Sequence, residues 1–378
     1  MTLFIGLMSG TSLDGIDGVL AHFDPKRTNA IDVRAHAYRS FPAALKAELL
    51  ALNRSGPDEL HRSALAANAL ARLSAEVVRE LLDESSVTSL DVRAIGAHGQ
   101  TVRHRPGAFD GTGYTLQINA PALLAELTGI DVIADFRSRD VAAGGTGAPL
   151  VPAFHRAVFG SPDATIGVLN LGGMSNLTVL HADGRTLGFD CGPANALMDH
   201  WCERHTGASF DENGAWAATG TVVEPLLRAL LAEPFFALAP PKSTGRDLFN
   251  PAWLDHRLIP FAHDNLRAEG VQATLCELTA VTCADALQRH AVDSRLLLVC
   301  GGGAQNTELL RRLAAHLPGV TVESTRARGL PPSQVEASAF AWLAQAFIQG
   351  QPGNLASVTG AAGPRVLGAL YPAGRPFQ

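Results

Sequence analysis

The sequence predicts an α/β protein built as two lobes, and three observations predict it. Its 378 residues are about two and a half times the roughly 150 residues of an ordinary domain, enough for two separate cores. A short apolar strand, a Gly-rich turn bearing hydroxyl side chains and a returning strand occur twice, around Gly10 and around Gly172, 162 residues apart. A third apolar run, Leu296 to Cys300, passes straight into Gly301-Gly302-Gly303 and then into a helical pattern; strand, glycines, helix is the order found in α/β sheets. Duplication of one lobe is the economical explanation of the two hairpins, although a match over about twenty residues is also open to chance.

Leu3 to Leu7 enters the turn-rich stretch Met8 to Gly15, and Ile16 to Phe23 returns from it, so the chain opens with a β-hairpin. From Asp58, a candidate N-cap, the apolar positions Leu60, Ala64, Ala67, Leu70, Ala71, Val77, Val78, Leu81 and Leu82 recur at helical spacing. Val92 to Ala97 reads as a buried strand ending at His98-Gly99-Gln100, followed by a helix over Pro121 to Thr128 and a short strand over Val132 to Ala134. The polar stretch Asp135 to Asp140 sets the lobe boundary at 138/139. The second lobe then carries the strands Thr165 to Leu171 and Asn176 to Leu180 around Gly172-Gly173. A short strand ending at Asp190 leads into a helix with Pro193 suited to N1 and Gly207 to C′. A further helix follows Asn306, with Leu309, Leu310, Leu313 and Leu317 at helical spacing.

Composition narrows the function classes. Apolar residues are 47 % and charged residues 17 %, which excludes disordered, collagenous and coiled-coil chains. A formal charge of -6 gives no attraction for a phosphate backbone, so nucleic acid is not an expected partner. Five widely spaced cysteines with no C-x-x-C pair indicate neither a disulfide framework nor a zinc site. With no signal-peptide core, and with the notable charge-free run Thr165 to Ala182 interrupted by Asn170, Gly172, Gly173, Ser175 and Asn176, the expected location is the cytoplasm, with no membrane contact.

The motifs point to a polyphosphate. Tight turns present backbone N–H groups as anion-binding concavities, and glycine lets the chain approach closely; ordinary β-turns use the same residues. The Walker, Rossmann and hydrolase-elbow signatures do not occur. Asp14 and Asp17 flank Gly15 beside the first loop and offer the hard oxygens Mg²⁺ accepts when phosphate and water complete its shell; an Asx-turn is the competing role for Asp14. Asp190, just ahead of a helix N-terminus, is expected to stay ionised and act as a mild base, or else to cap that helix. His98 to Arg105 supplies imidazole, amide and guanidinium donors suited to sugar hydroxyls or a carboxylate, and would equally suit a solvated loop. His200 and His205, five apart, lack the spacing of a metal pair.

These stretches carry a resemblance. Gly6 to Asp17 (GLMSGTSLDGID), Ala97 to Pro106 (AHGQTVRHRP), Asp135 to Asp140 through Ala148 to Pro152, Asn170 to Thr178 (NLGGMSNLT), Phe189 to Leu197 (FDCGPANAL), Lys242 to Arg246 (KSTGR) and Cys300 to Gly303 resemble, in content and order, the anhydro-N-acetylmuramic acid kinase family of the actin and hexokinase superfamily. Cys191, Ala194 and Gln305 depart from the pattern, where Thr, Gly and Arg are expected, and leave the local loop geometry open.

The resemblance implies a two-lobed actin/hexokinase-like (ribonuclease H-like) α/β fold with duplicated lobes around a central ATP cleft. The lobes would be 1–138 and 139–378, the last helix returning to the first. It implies ATP held by Gly10, Thr11, Ser12, Leu13, Asp14, Gly15, Ile16 and Asp17 on one side and by Asn170, Gly172, Gly173, Ser175 and Asn176 on the other. Gly301, Gly302 and Gly303 would lie on the adenosine side, and Asp14 would hold Mg²⁺. His98, Gln100, Arg137, Asn195 and Glu336 would bind the sugar, with Arg137 on its lactyl carboxylate. Asp190 would be the general base for a water that opens 1,6-anhydro-N-acetylmuramic acid as O6 takes the γ-phosphoryl group. The product is N-acetylmuramic acid 6-phosphate, a step in recycling cell-wall sugars, and the assembly a homodimer. Two further readings use the same residues: a kinase of an ordinary sugar hydroxyl, and an actin-like ATP-binding regulator without a sugar.

Overall fold

The computed structural model describes residues 2–10, 13–23 and 31–374; the expected phosphate-loop residues Thr11 and Ser12 lie outside the described residues. The chain forms two compact units, one made of residues 1–158 with 334–378 and the other of 159–333.

In the first unit, β1 (Leu3–Ser9), β2 (Gly15–Phe23) and β3 (Ile31–Ser40) form an antiparallel meander. β1 also pairs in parallel with β4 (Val92–Pro106). β5 (Gly113–Ile118) folds back on the far half of β4, β6 (Val132–Ala134) pairs in parallel with its near half, and the C-terminal strand Ala369–Tyr371 closes that edge. In the second unit, β7 (Ile166–Leu171), β8 (Met174–Leu180) and β9 (Thr186–Pro193) form the meander. β7 pairs in parallel with β10 (Leu296–Cys300), and β10 with β11 (Thr321–Ser324). The orders β3-β2-β1-β4-β6 and β9-β8-β7-β10-β11 are one topology used twice, with strand directions matching step for step. The lobe expected to be duplicated is thus built twice, and the two Gly-tipped hairpins occupy equivalent places in it.

The helix Glu59–Ser85 buries Ala67, Leu70, Val77, Val78 and Leu81 on one stripe, as its spacing predicts. Asp58 stands at its N-cap in a left-handed conformation (φ 53°) and makes no capping bond with its side chain; the first-turn Glu59 instead accepts from the Gly56 amide at 3.0 Å. The helix Ala268–His290 is buried on most of its surface and packs beneath the second sheet. Among the described residues no helix is long and apolar enough to cross a membrane.

Three expectations are corrected. The boundary expected at 138/139 falls inside the first unit, because the buried Asp140 carboxylate ties the Gly-rich segment to the C-terminal region: it accepts from Gly147 N at 2.8 Å, Asn354 Nδ2 at 2.6 Å and Thr359 Oγ1 at 2.8 Å. The strand expected to end at Ala97 runs on to Pro106, since pairing with β5 begins at Gln100 and supplies the partners a polar sequence lacks locally. Pro193 ends β9 and is not at N1; the helix is Asn195–Thr206, with Gly207 as its left-handed C-cap (φ 77°). The amides of Ala194, Asn195 and Ala196 donate to the carbonyls of Gly173, Gly172 and Gly173, so the hairpin tip fixes where this helix begins.

The C-terminal helix Val335–Ile348 belongs to the first unit, where it lies on β1 and β4. It approaches over Gly6 and Gly96, which face each other across these strands. A Cβ at Gly6 would stand 1.9 Å from the Ala337 carbonyl oxygen, and one at Gly96 2.0 Å from that of Phe340.

Candidate active site

In the second unit the β7–β8 turn is Gly172-Gly173, and neither glycine would crowd a neighbour closer than 3.4 Å if it carried a Cβ. Its surroundings are open, as a loop that receives a ligand requires. Asn176 follows on β8 and stands directly opposite Asp190 on β9. Ser175 is buried and donates to the Gly192 carbonyl at 3.1 Å, so its hydroxyl serves the β8–β9 pairing. Asn170 at the end of β7 faces Cys300 and Gly301.

Asp190 lies on the edge strand of this sheet. Its Oδ2 accepts from the Thr244 amide at 2.8 Å and from Ser243 Oγ at 3.1 Å, while its own amide donates to the Lys242 carbonyl at 3.1 Å. Oδ1 has no hydrogen-bond partner among the described residues. Burial pushes the carboxyl above its ordinary value; the Thr244 and Ser243 donors and the Lys242 ammonium pull the other way. Asp190 was expected to be held ionised by a helix N-terminus, but that helix starts five residues later, at Asn195, and desolvation governs the group.

Asn195 Nδ2 donates to the Leu171 carbonyl at 3.0 Å, and Asn195 lines a cleft of about 350 Å³ together with Phe210, Glu212, Gly302, Gly303 and Asn306. Of the three glycines, Gly301 and Gly303 are set by packing: a Cβ would stand 2.3 Å from Asn170 Oδ1 and 2.7 Å from Leu171 Cβ. Gly302 meets nothing nearer than 3.7 Å and is the one that opens on the cleft. Asn306 caps the following helix Thr307–Ala315 by accepting from Leu309 N.

In the first unit the β1–β2 turn places Leu13 in the left-handed region (φ 59°), with its side chain buried. Asp14 is well exposed and 3.4 Å from Lys46 Nζ; Asp17 on β2 is 3.2 Å from His36 Nε2. Gln100, buried, accepts from Ser9 Oγ and donates to the Gly10 carbonyl at 3.1 Å. It therefore braces the turn that carries Gly10.

His98 is 4 % exposed, and its Nε2 accepts from Arg137 Nε at 3.0 Å, which leaves the ring proton on Nδ1. Burial first and the Arg137 cation second push this imidazole well below its ordinary value, so it stays neutral. Arg137 also donates from Nη1 to the Gly147 carbonyl at 2.8 Å. Burial brings the guanidinium down to about 10, against Glu336 and Asp140, and it remains a cation at neutral pH. Glu336, in the first turn of Val335–Ile348, is pushed up by burial and by the Asp17 carboxylate, and held down in part by Arg137. His98, Arg137, Glu336 and Asp17 thus form one interacting set, drawn from β4, the loop before Asp140, the C-terminal helix and β2.

A family profile described as anhydro-N-acetylmuramic acid kinase matches residues 2–373. A protein of that description from Variovorax paradoxus (strain S110) is 63 % identical over 376 residues, covering 98 % of this chain and 99 % of its own. The chain belongs to the anhydro-N-acetylmuramic acid kinase family. Another protein of that description, from Bordetella petrii, is 60 % identical over 98 % of this chain and 96 % of its own. A solved structure, component A of (R)-2-hydroxyglutaryl-CoA dehydratase from Acidaminococcus fermentans, aligns over 90 % of this chain and 96 % of its own at 11 % identity and a TM-score of 0.48. As a member of this kinase family, the chain is a phosphotransferase.

For this kinase the sequence had not placed several contributors. Ser243 and Thr244, 53 and 54 residues beyond Asp190, belong to the Lys242 to Arg246 stretch, whose motif was visible but whose partner was not. Phe210 and Glu212 on the cleft wall carry no local motif. Asp140 was legible only as part of a polar run, and its three partners are what make it structural.

Proposed function

We propose that this kinase converts 1,6-anhydro-N-acetylmuramic acid, ATP and water to N-acetylmuramic acid 6-phosphate and ADP, as a cytoplasmic homodimer that recycles cell-wall sugar. The observation that carries the reading is Asp190, a half-buried carboxylate with one oxygen committed to Thr244 and Ser243 and the other available, opposite Asn176 beside an open glycine turn.

Asp190 Oδ1 takes a proton from a water attacking the anomeric carbon. The new C1–O bond forms as the C1–O6 bond of the anhydro ring breaks, and O6 receives the γ-phosphoryl group, with ADP leaving. Phosphoryl transfer asks mainly for positioning and charge neutralisation. The amides of the Gly10 and Gly172-Gly173 turns suit phosphate oxygens, and the cleft beside Gly302, with Phe210 on one wall and Glu212 and Asn306 on another, suits a base and a ribose. Asp14, exposed and only loosely paired with Lys46, fits a Mg²⁺ that keeps most of its waters, and Asp17 is the nearest second carboxylate in sequence. That ion would neutralise the phosphate charge.

On the sugar side, Arg137 spends Nε on His98 and Nη1 on Gly147. Nη2 is left for the lactyl carboxylate, a narrower contact than a fully free guanidinium fork would give. The neutral His98 donates to a hydroxyl or orients Arg137, while Glu336 completes the polar set of the first unit. Arg137→Ala is expected to raise KM for the anhydro sugar by about 10- to 100-fold, the range for losing charge-assisted hydrogen bonds, with KM for ATP little changed; unchanged sugar KM discards this role.

Incubation with Mg²⁺-ATP and the anhydro sugar in ¹⁸O-water, read by mass spectrometry, tests the reaction. The expected product is a 6-phosphosugar that has gained one water, with the label on the anomeric carbon. A phosphosugar with its anhydro ring intact points to an ordinary hydroxyl kinase, and ATP turnover indifferent to every sugar points to a nucleotide-dependent regulator; either overturns the proposal.

A further inference from the structure

The Lys242-Ser243-Thr244 segment has no role in the chemistry so far, yet its contacts converge on one carboxylate. Its backbone runs beside the edge strand β9, where the Asp190 amide donates to the Lys242 carbonyl at 3.1 Å. Two residues on, the Thr244 amide donates to Asp190 Oδ2 at 2.8 Å, and Ser243 Oγ donates to the same oxygen at 3.1 Å. The segment is itself anchored through Lys242. Its ammonium donates to the carbonyls of Phe235 and Phe236 at 3.3 and 3.4 Å and lies 4.6 Å from the Phe235 ring centre. Phe235 and Phe236 in turn pack against the buried Phe249.

We propose that Ser243 and the Thr244 amide, seated by Lys242, are the positioning groups of Asp190: they hold Oδ2 and so present Oδ1 to the attacking water. Two donors on a single oxygen fix the plane of the carboxylate and its rotation about the Cβ–Cγ bond, which a single bond would leave free. Asp190 therefore offers the same oxygen in every turnover. The contribution of Ser243 can be separated from the rest, because its hydroxyl is on the exposed side and its removal leaves the Thr244 amide bond intact.

The inference rests on Asp190 being the base. The charged and titratable groups around it are Lys242 on the segment itself, Cys191 beside it on β9, and, from the helix Ala268–His290, Cys283 against Cys191 and Asp285, Arg289 and His290 around Lys242. None of these is altered by changing Ser243. A donor to the ionised carboxylate favours that form, so its loss moves the acid limb of the kcat profile to higher pH.

The test is the pH dependence of kcat and of both KM values for Ser243→Ala and Ser243→Thr, with Asp190→Asn alongside. Ser243→Ala is expected to shift the acid limb upward by about one unit, so that on the limb kcat falls roughly tenfold with both KM values held, and Ser243→Thr restores the wild-type limb. An unmoved limb in Ser243→Ala overturns the positioning role, while an inactive Asp190→Asn leaves the base assignment standing. An active Asp190→Asn removes the base assignment and the inference together.

Discussion

Asp190→Asn is expected to lower kcat by about 10² to 10⁴, the span of a general-base contribution, while KM for ATP stays within a small factor of wild type. Asparagine keeps the size of the side chain and an acceptor oxygen for the Thr244 amide and Ser243 hydroxyl, so what is lost is the ability to take a proton. The wild-type enzyme should lose activity as pH falls through the carboxyl's folded value, which burial sets above that of an ordinary aspartate; this limb is absent from the residual rate of the mutant. Stability moves the other way. A carboxyl whose folded value is raised binds its proton more tightly in the native state, so the ionised group destabilises the fold at neutral pH, and the penalty fades as pH drops below that value. Asp190→Asn should therefore melt no lower than wild type at pH 7, with any advantage shrinking in acid. Near-wild-type turnover would sink the assignment, and a lowered melting temperature at pH 7 would mean that the carboxylate is held by more than the two donors described.

What could be read from the sequence and what could not divide along sequence distance. The hairpins of β1–β2 and β7–β8 were legible because each is an apolar run broken by glycine within a dozen residues, and the helix Pro121–Thr128 and strand Val132–Ala134 fall where composition put them. The unit boundary was not legible, because Asp140 finds Asn354 and Thr359 across 214 and 219 residues. The extension of β4 through His98 and Gln100 was missed for a related reason: a polar stretch reads as a loop until β5 provides its ladder. Gly301 to Gly303 were expected together on the adenosine side, and the structure divides them. Packing accounts for the first and third glycines and not for the second. Order and content of the motifs pointed to the family, whereas the environment of Asp190 depends on Ser243 and Thr244 and could be read only once the fold brought them together.

The largest loss of stability is expected from the smallest side chain added under the C-terminal helix. Gly6 and Gly96 face each other on β1 and β4, and the helix Val335–Ile348 sits against both, so a methyl group at either would meet backbone and not a movable side chain. At Gly6 it would stand 1.9 Å from Ala337 O and 2.5 Å from Ala341 N; at Gly96, 2.0 Å from Phe340 O. The only relief is displacement of the helix from the sheet, at about 3 kcal/mol or more, the upper end of core overpacking. Thermal unfolding of Gly6→Ala and Gly96→Ala should show Tm lowered by several degrees, roughly 2–4 °C per kcal/mol for units of this size, whereas Gly56→Ala, whose nearest neighbour is the end of the Arg62 side chain at 3.4 Å, should melt close to wild type. One displacement relieves both contacts, so the double mutant should cost less than the sum of the two singles, as expected for residues coupled through a shared element. The same movement carries Glu336, which precedes Ala337 on that helix, away from Arg137 and Asp17. Each glycine mutant should therefore also lose sugar affinity at temperatures well below its melting point. Wild-type stability in either single mutant would mean that the helix does not rest on the glycine pair.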